Sequence, residues 1–80
     1  MSHTPHELAE EFPDKIDLMH TLKMKDAHFA RLFDEYHEVN RAVHRAETRV
    51  DTIDELAEED LRKQRMMLKD EIWSMISTAA

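Results

Sequence analysis

Cysteine and glycine are both missing from the 80 residues, and only two prolines occur. Without cysteine there is no disulfide scaffold, no thiolate metal site and no cysteine nucleophile. Without glycine the phosphate-cradling loops of nucleotide-binding enzymes are excluded, and so are the tight two-residue turns of β-hairpins, since no Asn-Gly or Gly-Gly pair exists. No apolar run approaches the ~18 residues of a membrane helix. Residues 1–6 hold no basic region followed by an apolar stretch, so no secretory signal is expected and a cytoplasmic protein is the default.

What remains is helical material. Hydrophobic residues make up 41% and charged residues 36% of the chain, and the formal net charge is −7. Helices joined by short connections are the expected architecture, in one domain. A chain of this size buries only roughly 60% of its unfolded surface. Two or three helices in one layer do not enclose a core, so self-association into a homo-oligomeric helical bundle, a dimer for preference, is expected to complete it. The acidic balance argues against bulk binding to nucleic acid or anionic lipid.

Local signals place the helices. Thr4, Pro5 and Glu7 have the spacing of a capping box with proline at the first helical position, which predicts a short helix over 5–11. Pro13 disfavours helix at Phe12, and a second helix is expected from there to about Met24, with Ile16, Leu18, Met19 and Leu22 as its apolar positions. Asp26 is the next N-cap candidate. Beyond it Phe29, Leu32, Tyr36, Val39, Val43, Ala46 and Val50 follow at spacings of 3 and 4, a heptad seam on a helix about 36 Å long. Residues 51–54 break the pattern as a turn without glycine, and Thr52 or Asp54 caps a last helix over 55–78. The expected fold is therefore all-α: a long antiparallel hairpin, about 27–50 and 55–78, with short N-terminal helices packed on it.

The last helix reads as two-sided. Ala57, Leu61, Leu68, Ile72, Met75 and Ala79 share one face with Gln64, and this face is expected to close the hairpin seam. Met66 and Trp73 lie one heptad apart on nearly the opposite face. Three covers compete for them: the N-terminal helix, a second copy, or an outside partner. Residues 51–60 carry six carboxylates and no cation, and the first turns of the last helix place them at a positive dipole end. They are also expected to face Arg45 and Arg49, which explains the ladder of Arg41, Arg45 and Arg49.

Chemistry-bearing constellations are absent. His37, His44 and Glu47 share spacing but supply too few ligands for a metal site, and no nucleophile stands beside a base in a concave setting. No catalytic residue, metal or cofactor is expected, and the chain is not read as an enzyme. Arg62, Arg65 and Lys69 line one side of the last helix near Met66 and Trp73. They form a candidate basic patch for single-stranded nucleic acid, a reading the net charge ranks second.

Phe12-Pro13, Leu22-Lys23, Phe29, Leu32-Phe33-Asp34, Tyr36-His37 and Lys63-Gln64-Arg65, followed by Leu68-Lys69-Asp70-Glu71-Ile72, resemble the YdcH family of small bacterial proteins over about residues 12–77. Residues 1–11 then read as an N-terminal extension and 12–80 as the hairpin domain. The resemblance implies an α-helical hairpin in the bacterial cytoplasm without established activity, and it transfers no catalytic or ligand residue. The functional expectation is a non-catalytic protein–protein interaction or adaptor module; the alternative is a nucleic-acid-associated regulator using the basic patch and Trp73.

Overall fold

The computed structural model describes residues 5–48 and 53–79. Among them the chain forms α1 (Leu8–Glu11), a 3-10 turn (Pro13–Lys15), α2 (Ile16–Lys25), α3 (Ala27–Glu47) and α4 (Glu55–Ala79), and no strand. The long helices start where acidic caps stand. The Asp26 carboxylate accepts hydrogen bonds from the backbone N–H groups of His28 at 2.9 Å and Phe29 at 3.2 Å. Asp54 accepts from the N–H of Leu56 at 3.2 Å. Each satisfies donors that the first helical turn leaves without a partner. Thr4, Arg49, Val50, Asp51 and Thr52, the last two being half of the expected turn, lie outside the described residues.

α3 and α4 pack as an antiparallel hairpin, with α2 against α3. The direction follows from the side-chain pairs that cross it: His28 meets Glu71, Asn40 meets Arg65, and Glu47 meets Arg62. The shared core is Leu8, Met19, Phe29, Leu32, Tyr36, Ile72 and Ile76, with Phe12, Leu18, Leu22, Phe33, Leu68 and Met75 packed at its edge. Val43 and Ala46 continue the buried stripe of α3.

Three expectations change. The first helix begins at Leu8, not Pro5. His6 takes a left-handed backbone, φ 63°, and Glu7 is extended at ψ 148°, so no helical turn can form before Leu8; histidine is among the residues that tolerate this conformation. On α3 the buried stripe passes through Asn40 (1% exposed), and Val39 is only half-buried. On α4 the buried positions are Ile72 and Ile76; Leu61, Leu68 and Met75 are half-buried, and Ala57, Gln64 and Ala79 are exposed. At 100° per residue the inward face has turned by roughly 60° toward Arg65, Lys69 and Ile76. The cause is the N-terminal segment, which packs on that side and makes a two-body seam into a three-body one.

Ile72→Ala should therefore cost about 2–5 kcal/mol in a urea melt, whereas Met67→Ala, on the exposed side, should stay within about 0.5 kcal/mol. Equal losses would overturn the face assignment. Asp26→Ala should cost about 1 kcal/mol through the lost cap.

Candidate interaction faces of the hairpin

One face of the hairpin is a cleft occupied by the chain's own start. Leu8 is fully buried in the core. Two buried polar side chains of α3 grip the backbone ahead of it: the Tyr36 hydroxyl donates to the His6 carbonyl at 2.7 Å, and the Asn40 amide donates to the Pro5 carbonyl at 2.8 Å. The left-handed turn at His6 brings both carbonyls to α3. Asn40 accepts in turn from the Arg65 guanidinium of α4 at 2.9 Å. Among the described residues no buried side-chain polar atom lacks a partner, so the amide can sit in an apolar stripe without an uncompensated desolvation cost.

Side chains of the arm are read as well. Glu11 pairs with Lys69 of α4, and His6 lies 3.6 Å from the same carboxylate. Glu7 meets His37 Nε2 at 3.0 Å, while His37 Nδ1 faces the Phe33 carbonyl at 2.9 Å. Phe12 stacks on Trp73 with ring centroids 5.4 Å apart, and the Lys69 ammonium lies 5.8 Å from the Phe12 ring centre. The Lys69 hydrogen bond holds the Glu11 carboxyl below its ordinary range; burial opposes this, and the charges of Lys69 and His6 add to it. Burial, with the Glu11 charge behind it, pushes the Tyr36 hydroxyl up to about 12, so at neutral pH it keeps the proton it donates.

The other face of the hairpin is open. Val39 and Ala42 of α3 and Leu61, Met67 and Leu68 of α4 floor a groove of about 470 Å³. Glu35, Glu38 and Glu71 stand on its rim with Gln64 and Arg45. Glu71 also contacts His28 at 3.2 Å. Met67 is 68% exposed and Met66, beside it, 59%.

The sequence-derived site residues thus divide. Phe29, Leu32, Tyr36, Val43 and Ile72 are buried; Val39, Leu61 and Leu68 are half-buried on the groove side, and Met75 is half-buried at the core edge. Of the Met66 and Trp73 stripe, Trp73 stacks on Phe12 of the arm yet stays 47% exposed, and Met66 is exposed. Arg62, Arg65 and Lys69 do not form an unengaged cationic face. Arg62 is held between Glu47, at 3.0 Å, and Glu58; Arg65 bonds Asn40; Lys69 bonds Glu11. Four intramolecular partners engage the patch. Sequence reasoning missed Asn40 and Leu8. The available signals were Asn40 at i+4 from Tyr36 and the Leu8/Phe12 pair at i, i+4 just before a proline. Among the described residues no three His, Asp or Glu side chains converge on one point, and no helix is long and apolar enough to cross a membrane.

Since the folded Glu11 carboxyl titrates below its ordinary 4.5, its pairing contributes in full above that value. The contribution is lost as pH falls through the lower folded value. Acidification below pH 4.5 should therefore loosen the arm, read as a change in fluorescence of Trp73, the sole tryptophan. Glu11→Gln should remove that acid step. An acid profile unchanged by Glu11→Gln would contradict the assignment.

Searches of curated proteins and of solved structures find no match. A family model does match, over residues 29–76, which spans all of α3 but its first two residues, and α4 down to Ile76. The hairpin is thus the matched unit, in keeping with the YdcH resemblance, while the arm and α2 lie ahead of it. The chain belongs to the family of proteins of unknown function described as DUF465.

Proposed function

We propose that the chain is a non-catalytic protein–protein interaction module whose open groove docks one amphipathic helix of basic character from a partner protein. The observation that carries this reading is the groove itself. Val39, Ala42, Leu61, Met67 and Leu68 offer an apolar floor along two antiparallel helices, the shape into which a third helix lays its apolar stripe. Glu35, Glu38 and Glu71 on the rim outnumber Arg45, so lysines or arginines flanking the incoming stripe are favoured. Burying an exposed methionine beside leucines also suits a surface that adapts to its ligand.

Self-association through the same groove ranks behind. A two-fold pairing sets the carboxylates of one copy against those of another in a chain already at −7, and like charges opposed across an interface oppose docking. The cytoplasm is the proposed setting, in line with a chain that uses no cysteine.

Titration calorimetry of the full chain with a designed helical peptide, a leucine stripe flanked by lysines, tests the reading. Binding should weaken with rising salt and fall at least tenfold for Met67→Glu. The same peptide flanked by glutamates should bind at least tenfold more weakly. Equal binding of the two peptides, or no binding, would overturn the proposal. So would a dimer in sedimentation equilibrium that Met67→Glu dissociates, which would put a second copy in the groove.

A further inference from the structure

The cleft on the opposite face has the construction of a peptide-binding site. Its contacts to the occupant divide as such sites do. Main-chain carbonyls are read by fixed donors, Tyr36 to His6 and Asn40 to Pro5. One side chain, Leu8, is swallowed whole. A cation waits at a set distance beyond it, Lys69 for Glu11, and an aromatic platform one residue further, Trp73 for Phe12. His37 takes the carboxylate just before the leucine. Tyr36 and Asn40 are each 1% exposed, and the Asn40 carbonyl oxygen is held by Arg65, so its amide is aimed before any peptide arrives.

Two independent features separate the site from its occupant. Every receiving residue named here, Tyr36, His37, Asn40, Arg65, Lys69 and Trp73, falls inside the family match at 29–76, and every occupying residue falls outside it. Charge divides along the same line. In a chain of net charge −7 the cleft presents Arg65 and Lys69, and the arm presents Glu7 and Glu11.

We infer that the α3/α4 cleft is a binding site for an acidic, leucine-anchored peptide segment of another protein, and that residues 5–12 are its resident competitor. The ligand carries an acid just before the leucine, a second acid three residues after it and an aromatic four after it. The two carbonyls before that first acid meet Asn40 and Tyr36. The arm leaves by pivoting at Phe12 and Pro13, ahead of α2, which stays packed on α3. This site is distinct from the groove, so Met67→Glu leaves it intact and the two proposals fail separately.

The test uses the full chain carrying Leu8→Ala with Glu11→Gln, which loosens the arm but leaves the cleft unaltered. A fluorescein-labelled peptide with the sequence of residues 4–15 is titrated into it and followed by anisotropy. The loosened chain should bind at least tenfold more tightly than the natural one, whose arm competes. A peptide in which the leucine is replaced by aspartate should lose at least tenfold, and Asn40→Ala in the loosened chain should weaken binding severalfold. Equal affinity of the natural and loosened chains, or no binding to a loosened chain that retains its helical circular dichroism, would overturn the inference. Should the loosened chain not fold, hydrogen exchange of the natural chain decides. Amides of residues 9–12 that exchange much faster than those of α3 support an arm that opens by itself; protection equal to that of α3 overturns it. A concentration-dependent dimer of the natural chain that Leu8→Asp dissociates would seat a second copy's arm in the cleft and displace the outside partner.

Discussion

A single buried amide joins the parts of this molecule. Asn40 stands in the apolar stripe of α3, gives its N–H to the Pro5 carbonyl and takes a hydrogen bond from Arg65. Three segments distant in sequence therefore meet on one side chain. An amide of this kind specifies more than it stabilises. An apolar residue of similar size would pack, yet it would leave a carbonyl and a guanidinium without their partner, and unpaired buried polar groups are costly. The amide thus fixes which way α3 is turned and which side of α4 faces it.

From that constraint the sidedness of the hairpin follows. The arm packs on the Arg65, Lys69 and Trp73 side of α4 and draws the inward face toward it. Residues that a two-helix seam would have covered, such as Val39 and Leu68, are left lining the far side. The same displacement explains the charges. Two cations of α4 sit where another segment brings a carboxylate, Lys69 with Glu11 of the arm and Arg62 with Glu47 of α3. Glu35, Glu38 and Glu71 stand around the open groove.

Local chemistry was readable from the residues, and tertiary chemistry was not. The Asp26 and Asp54 caps, the start of a helical segment at Pro13 and the hairpin order all follow from side chains acting on their own neighbours. The heptad count favoured Val39 because it scores hydrophobicity. It could not register that Asn40 finds two partners 25 and 35 residues away. Thr4, Pro5 and Glu7 suggested a helix start at Pro5, but the carbonyls of Pro5 and His6 are claimed by α3 before a first turn can use them. Trp73 posed a question with three answers; Phe12 stacks on its ring from 61 residues away, and the residue stays 47% exposed.

The joint between α2 and α3 is a single residue. Asp26 is bonded through its own N–H to the Leu22 carbonyl behind it at 2.8 Å, and through its carboxylate to the first turn ahead. Such a joint has no slack to absorb a change in length. One residue added there would turn α3 by about 100° against α2, carrying Phe29, Leu32 and Tyr36 out of the core together. The many small steps by which surface loops drift in length are closed to this corner of the chain, and its phase is as fixed as that of a gear on a keyed shaft.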